Sequence, residues 1–277
     1  MTETLQILLL AILQGITEFL PISSSAHLVF LQEILEKCGL STIEETYTLG
    51  IALHLASLLA ILCYYWRPLL RLALGRDIPL LKLIIWGSLP VAIVGFGVKL
   101  FLDDFFEEKI FNNVPLVACL LWVTAAVLLV GQKISMQNPH HRKNRHWRKN
   151  LKTLSARRAL GIGLAQAVAI LPGISRSGST ITAGLAFGLK RNDAATFSFL
   201  LAIPAIGGAG LVEILKVAKD GVGEISVFPL ILGFIVCFIV SLLSLHLLIR
   251  LLRMRQIGIF AWYLIPMGFF MLLLGCW

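Results

Sequence analysis

Long runs of apolar residues alternate with short polar segments along the whole chain. Six of these runs reach the roughly 18–20 residues that a helix needs to cross the hydrocarbon core of a bilayer. They cover residues 46–66, 79–102, 114–131, 195–217, 226–249 and 257–276. The pattern therefore predicts an all-α integral membrane protein with six full transmembrane helices.

Two further apolar segments, residues 5–34 and 157–190, are interrupted near their centres. The interruptions run from Pro21 to Ser25 and from Pro172 to Ser177. Proline and glycine end helices, and serine then caps the start of a new one. Each half-helix has only about 13–16 residues, which is short for a full crossing. We therefore predict two re-entrant helical hairpins, whose non-helical tips must be surrounded by protein or water.

Composition agrees with a membrane protein, and charge adds an orientation. The chain is 58% hydrophobic and 14% charged, whereas a soluble protein has about 25% charged residues. Residues 133–158 hold nine of the 24 Lys and Arg residues and no acid, which leaves 15 basic against 15 acidic residues elsewhere. Such a run can bind nucleic acid, but in a membrane protein it indicates a cytoplasmic loop. We predict no nucleic-acid partner.

The remaining loops test this topology. Segments 67–78, 188–194 and 250–256 are basic, whereas loops 32–45 and 103–113 are acidic. Six spans and two hairpins place every basic loop inside and both acidic loops outside, with both termini outside. A full crossing by residues 5–34 would move the N-terminus inside, and charge alone does not exclude it.

A weak internal repeat relates the two interrupted segments. A shift of 152 residues aligns Gln14 with Gln166, and it aligns Ile22, Ser23 and Ser25 with Ile174, Ser175 and Ser177. Each repeat is then one hairpin followed by three spans, so the second copy is inverted. We predict a first repeat at 1–131, a basic linker at 132–156 and an inverted repeat at 157–277, within one membrane domain. The hairpin tips would meet near the bilayer midplane, as in many transporters.

The first break carries groups suited to phosphate chemistry. Gln14 and Glu18 are four residues apart and share a helix face, and a carboxylate at membrane depth usually marks function. Both offer oxygen ligands of the kind that hard cations take. Ser24 could attack phosphorus, and His27 on a nearby helix face could handle its proton.

The second break adds a group that binds anions. Arg176 is suited to bidentate phosphate binding, and two helix N-termini would point their free N–H groups at the same site. We therefore predict a phosphate or diphosphate ligand. The candidate substrate-binding residues are Ser23, Ser25, Gly173, Ser175, Ser177 and Thr180.

These two motifs resemble the signatures of bacterial undecaprenyl-pyrophosphate phosphatases of the bacitracin-resistance type. The first runs from Gln14 to His27 and the second from Pro172 to Thr180. Two departures stand out: Gln14 lies where many members carry Glu, which puts a two-carboxylate metal site in doubt, and Ser25-Ala26 replaces a common Thr-Gly.

The resemblance implies an enzyme that hydrolyses a C55 polyprenyl diphosphate lipid to the monophosphate and inorganic phosphate. It implies a divalent cation, Mg²⁺ or Ca²⁺, and a site on the outer face of the bacterial cytoplasmic membrane. It matches Glu18 and Gln14 to the acidic motif and metal, Ser24 and His27 to the Ser/His pair, and Arg176 to the phosphate arginine.

Several alternatives stay open at this point. An inverted repeat with broken helices is also typical of transport, so a transporter or flippase of a lipid phosphate or another anion is the alternative function. Either Ser24 or an activated water could attack, with His27 or Glu18 as the base. Membrane lipid surrounds the protein, and a homodimer is a candidate assembly.

Overall fold

The computed structural model describes residues 3–37, 47–111, 113–136, 151–220 and 226–275, and the regular structure in these ranges is helical, without strands. A π-helical turn at Glu107–Phe111 and a 3-10 turn at Leu151–Thr153 accompany twelve α-helices. The α-helices are α1 Glu3–Thr17, α2 Ser24–Lys37, α3 Tyr47–Tyr64, α4 Trp66–Ala73, α5 Ile78–Phe101, α6 Asp103–Phe106, α7 Val114–Met136, α8 Ala156–Val168, α9 Arg176–Ala186, α10 Arg191–Asp220, α11 Val227–Arg253 and α12 Ile259–Gly275.

The predicted all-helical fold is confirmed, and helices form in each of the predicted apolar segments. The structure differs from the prediction most clearly in two places. Helix α10 extends at both ends beyond the predicted 195–217, to 30 residues. The chain also bends by 82° between α3 and α4. Pro68 explains the bend, because its ring would clash with the carbonyl of Tyr64 if the helix continued.

Four of the described helices are long and apolar enough to cross a membrane. They are α5, α7, α11 and the Arg191–Val212 part of α10; α3 and α4 together make a fifth if the bent pair is one span. Large apolar side chains such as Ile93, Phe96 and Leu243 are about two-thirds exposed, which is the reverse of a soluble protein surface. The chain is therefore a multi-pass membrane protein.

The helices that precede the two breaks pack on late helices of the other half of the chain. Helix α1 contacts α11, and α8 contacts α5. Both contacts are glycine-mediated: Gly15 lies against Val240, and Gly163 lies against the backbone of Gly87. Helix α7 likewise packs on α12, and α3 packs on α10. Each helix that precedes a break is thus packed against a helix from the other half of the chain.

Both breaks are present where serine, proline and glycine predict them. Helix α1 ends at Thr17 and α2 begins at Ser24. Helix α8 ends at Val168, and the Ser175 side chain caps α9 by accepting from Gly178 N. Gly173 has φ +94°, and a Cβ there would lie 2.6 Å from Val117 O. This position therefore requires glycine for both its dihedral angle and its close packing.

Parts of the predicted organisation lie outside the described residues. These parts are residues 38–45 of the acidic loop 32–45, residue 46 at the start of the predicted span 46–66, and residues 137–150 of the linker 132–156. The division into repeats at 1–131 and 157–277 stays a prediction.

Candidate active site

The two breaks bring the predicted acid and the predicted arginine into direct contact. Arg176 Nη2 donates to Glu18 Oε1 at 2.6 Å, although the two residues are 158 positions apart in sequence. The Glu18 side chain is 6% exposed and the Arg176 side chain 18%. The pair is therefore largely removed from solvent, where a charge-assisted hydrogen bond is strong, while Arg176 keeps an accessible edge.

Glu18 also joins the other candidate groups of the first break. Its second oxygen, Oε2, accepts from Gln14 Nε2 at 3.0 Å and from Ser24 Oγ at 3.2 Å. Ser24 is the first residue of α2, so its hydroxyl lies at a helix N-terminus. A hydroxyl, a carboxylate within hydrogen-bond reach and groups that orient the carboxylate form the usual pattern of an activated nucleophile.

Gln14 contributes an oxygen that no protein group satisfies among the described residues. Its Oε1 is buried without a hydrogen-bond partner, while its Nε2 is committed to Glu18. An unpaired buried oxygen is costly and calls for an explanation. Together with the Glu18 carboxylate it offers hard oxygen ligands, which are the kind that Mg²⁺ and Ca²⁺ take.

The oxygen ligands of this site fit a divalent cation that is bound partly by substrate phosphates better than one that is bound by protein ligands alone. No cluster of three or more His, Cys, Asp or Glu side chains capable of holding a metal occurs in the described part of the chain. Mg²⁺ is commonly held by one or two carboxylates together with substrate phosphates and water. Gln14 Oε1 and Glu18 supply the protein share of such a shell.

Ser23 links the two breaks through its side chain, and its backbone carbonyl holds His27 of α2. It has φ +69°, which is uncommon for a residue with a side chain. Its Oγ accepts from Gly173 N at 3.1 Å and lies 3.2 Å from Ser25 Oγ. Its carbonyl accepts from His27 Nδ1 at 2.7 Å. The tip of the first break is therefore fixed directly on the tip of the second.

Thr124 of α7 holds the second break and is a residue that sequence reasoning missed. Its Oγ1 donates to Gly173 O at 2.7 Å and accepts from Ser175 N at 3.0 Å. The residue is 1% exposed. A lone threonine within a transmembrane run gives no pattern in the sequence, because its role depends on which backbone groups pack against it.

We expect Thr124→Val to destabilise the protein and to lower its activity. The change keeps the shape of the side chain but leaves a buried carbonyl and a buried N–H unpaired, at a cost of about 1–3 kcal/mol. Thermal unfolding in detergent should show an apparent Tm lower by several degrees. Thr124→Ser keeps the hydroxyl and should behave much more like wild type; equal Tm values for all three proteins would contradict the assignment.

The remaining serine and threonine candidates form a buried network at the start of α9. Ser175 Oγ lies 3.3 Å from Ser177 Oγ and accepts from Gly178 N. Thr180 Oγ1 donates to Arg176 O at 2.8 Å and lies 2.5 Å from Ser198 Oγ on α10. In this structure the Thr180 hydroxyl thus faces a neighbouring helix, whereas Ser24 and Arg176 contact the Glu18 carboxylate.

His27 is near the site but is engaged elsewhere. Its Nδ1 lies on the Ser23 carbonyl, and its Nε2 lies 2.8 Å from the hydroxyl of Tyr263 on α12. Tyr263 is the second residue that the sequence did not reveal. Both ring nitrogens have partners, and the titratable side chain that contacts Ser24 Oγ in this structure is Glu18.

A family comparison covers the residues of both breaks. The sequence profile of the family described as bacitracin resistance protein BacA matches residues 7–270, which include both breaks. The chain belongs to the BacA family. The match covers nearly the whole chain, so it includes the helices that position the two breaks as well as the motifs themselves.

Curated relatives named undecaprenyl-diphosphatase match this chain over nearly their full length. The chain is 38% identical to an undecaprenyl-diphosphatase of Rhodopirellula baltica, over 99% of each chain. It is 36% identical to an undecaprenyl-diphosphatase of Halothermothrix orenii, over 99% of this chain and 98% of the relative. It is 38% identical to one of Thermomicrobium roseum, over 97% and 96%.

Proposed function

We propose that the protein hydrolyses undecaprenyl diphosphate to undecaprenyl phosphate and inorganic phosphate. The observation that carries this proposal is the contact of Arg176, Glu18 and Ser24 across the two breaks, in a chain of the BacA family. An anion carrier needs the arginine and the helix N-termini but has no use for a hydroxyl hydrogen-bonded to a carboxylate. The geometry therefore favours hydrolysis over transport.

Arg176 binds the terminal phosphate of the substrate. Its guanidinium matches phosphate oxygens in a bidentate fashion, and the N-terminus of α9 adds a positive dipole at the same point. The substrate takes over part of the bond that Arg176 now makes to Glu18, which frees the carboxylate to act on Ser24. Charge that develops on the transferred phosphoryl group is then stabilised by fixed donors, which is the largest contribution in phosphoryl transfer.

Ser24 is the attacking group in this mechanism. Its oxygen forms a bond to the terminal phosphorus, its proton passes to Glu18, and the bond between that phosphorus and the bridging oxygen breaks. Undecaprenyl phosphate leaves with the electron pair of that bond. Water then attacks the phosphorus of the phosphoserine, the bond between that phosphorus and Ser24 Oγ breaks, and Glu18 returns its proton to Oγ, so that inorganic phosphate is released and both the Ser24 hydroxyl and the Glu18 carboxylate are restored.

A divalent cation, Mg²⁺ or Ca²⁺, belongs to this site. Gln14 Oε1 and the Glu18 carboxylate would hold it, and when bound it neutralises negative charge on the diphosphate. Without a cation, the Glu18 carboxylate would repel the diphosphate wherever Arg176 does not screen it.

We expect Gln14→Leu to weaken the response to Mg²⁺. The half-saturating Mg²⁺ concentration should rise about tenfold, which corresponds to about 1.4 kcal/mol, and most of kcat should return at saturating Mg²⁺. Gln166→Leu is the matched control, because Gln166 aligns with Gln14 in the repeat and is equally buried at 1%. An unchanged Mg²⁺ response in Gln14→Leu would mean that Gln14 acts only by orienting Glu18.

We also propose the full topology of six spans and two re-entrant hairpins in an inverted repeat. The packing of α1 on α11 and of α8 on α5 supports it. In an inverted repeat α1 corresponds to α8 and α5 to α11, so these two contacts are equivalent. The charge of the loops then places both termini outside and opens the site to the outer face of the bacterial cytoplasmic membrane.

The test is phosphate release from undecaprenyl diphosphate by purified protein in detergent with Mg²⁺, before and after EDTA. We expect release of one phosphate per lipid, loss with EDTA and recovery when Mg²⁺ is restored. No release by folded protein at saturating Mg²⁺, together with uptake of a lipid phosphate into proteoliposomes, would favour transport instead.

A further inference from the structure

The contact between His27 and Tyr263 joins the first break to a helix at the far end of the chain. The Tyr263 hydroxyl lies 2.8 Å from His27 Nε2. The two rings are stacked, with centroids 5.7 Å apart and planes inclined by 13°. His27 is 4% exposed, whereas Tyr263 is nearly half exposed. The half-exposed phenol of Tyr263 thus contacts the buried imidazole through its hydroxyl.

The hydrogen-bond partners of His27 determine where its proton lies. Nδ1 is 2.7 Å from the Ser23 carbonyl, which can only accept, so Nδ1 carries the hydrogen. In the neutral ring Nε2 is then a bare acceptor, and the Tyr263 hydroxyl donates to it. The Ser23 carbonyl therefore selects one tautomer of the histidine, since the other tautomer would leave this carbonyl facing a lone pair, and the Tyr263 hydroxyl donates to the nitrogen that this tautomer leaves bare.

The hydrogen bond from His27 to the Ser23 carbonyl holds the turn that precedes Ser24. Ser23 adopts φ +69° without being glycine, a conformation that costs free energy and persists only when its surroundings hold it. Its Oγ receives Gly173 N from the second break. The next residue is Ser24, whose hydroxyl reaches Glu18. A continuous set of hydrogen bonds thus runs from α12 through His27 to the turn that presents Ser24.

We infer that Tyr263 is a positioning residue: by donating to His27 Nε2 it holds the imidazole in place with its Nδ1–H on the Ser23 carbonyl, which fixes the strained Ser23 turn and presents Ser24 to Glu18. This inference rests on the proposed function and assigns to His27 a positioning role in place of proton transfer. Neither residue touches the reacting phosphorus in this arrangement.

The test compares Tyr263→Phe, His27→Asn and His27→Gln. The Asn amide nitrogen overlays Nδ1 and can still donate to the Ser23 carbonyl, whereas the Gln amide reaches the Nε2 position only; neither is a base. We expect Tyr263→Phe to lower kcat about tenfold with little change in KM, as for loss of one positioning hydrogen bond. His27→Asn should keep at least about a third of kcat, and His27→Gln should lose about 50-fold or more.

A double variant separates positioning from a general structural effect. In the His27→Asn background Tyr263→Phe should cause no further loss of kcat, because no ring nitrogen is left to accept a hydrogen bond from Tyr263. If His27 instead carried a proton in catalysis, His27→Asn would be as inactive as His27→Gln. That result, or a Tyr263→Phe kcat equal to wild type, would overturn the inference. If Tyr263→Phe does not fold, the comparison of His27→Asn with His27→Gln decides by itself.

A measurement independent of hydrolysis distinguishes failure of this inference from failure of the proposed function. In ¹⁵N-histidine spectra of the detergent-solubilised protein, the His27 signal, assigned by its loss in His27→Asn, should show hydrogen on Nδ1 alone. In Tyr263→Phe hydrogen should stay on Nδ1, and the Nε2 signal should move because that nitrogen no longer accepts a hydrogen bond. A wild-type signal with hydrogen on Nε2 would overturn the inference even in an active enzyme, and the expected signal in an inactive protein would leave the tautomer assignment standing while the proposed function fails.

Discussion

Arg176→Ala is expected to reduce phosphate release about 10³-fold or more. Arg176 holds the terminal phosphate and faces the charge that develops during transfer, and loss of a fixed cation at such a place costs 10³–10⁵ in rate. Arg176→Lys should restore only part of the activity, because an ammonium cannot bind two phosphate oxygens in a plane. Arg191→Ala is a suitable control, since Arg191 is a part-buried arginine bonded to Ser135 outside the site.

The same substitution has a predictable effect on stability that must be separated from the effect on rate. Arg176→Ala leaves the Glu18 carboxylate buried without its ion-pair partner, which can cost about 3–5 kcal/mol. Glu18→Gln combined with Arg176→Ala removes the unpaired charge. We expect this double variant to be more stable than Arg176→Ala alone and equally inactive. A double variant that hydrolyses the substrate at near the wild-type rate would contradict the proposed site.

Ser24→Ala is expected to have a comparable effect, with a loss of about 10³-fold or more in kcat. The change removes the only hydroxyl that contacts Glu18 Oε2 among the described residues, and nucleophile removal typically leaves only the contribution of binding and fixed charges. Ser25→Ala is the comparison, because Ser25 lies in the same turn but bonds to Ser23; its loss should stay below about tenfold.

The fate of the phosphoryl group distinguishes serine from water as the attacking group. Acid quenching of wild-type protein during turnover, followed by mass spectrometry of the peptide that contains Ser24, should show phosphate on that residue. If Ser24→Ala keeps more than about a tenth of the rate and no phosphoserine forms in wild type, a water held by Glu18 performs the attack.

Much of the site could be predicted from sequence because its charged residues and helix breaks lie within long apolar segments. Glu18 and Arg176 are charged groups inside apolar segments, and each lies next to a proline- or glycine-marked break. The interpretation of the two segments as related copies predicts that their breaks meet, and the 2.6 Å contact between Arg176 and Glu18 shows that the two breaks touch.

Thr124 and Tyr263 could not be predicted for a related reason. Each is an isolated polar side chain within an apolar stretch of its helix, and its importance depends on the backbone or ring that packs against it. The direction of Thr180 is a similar case: it lies one turn after Arg176, but its hydroxyl meets Ser198 on α10. Sequence spacing gives the face of a helix, while the neighbouring helix decides what that face contacts.

Single-turnover hydrolysis tests the central claim, that residues from both breaks form one catalytic site. Phosphate-labelled undecaprenyl diphosphate is mixed with excess wild-type protein, Glu18→Gln or Arg176→Ala, and both bound lipid and released phosphate are measured in each sample. The account predicts rapid release by wild type, and retained lipid with at least about 10³-fold slower release by folded Glu18→Gln and Arg176→Ala. Release at the wild-type rate by either folded variant would contradict it.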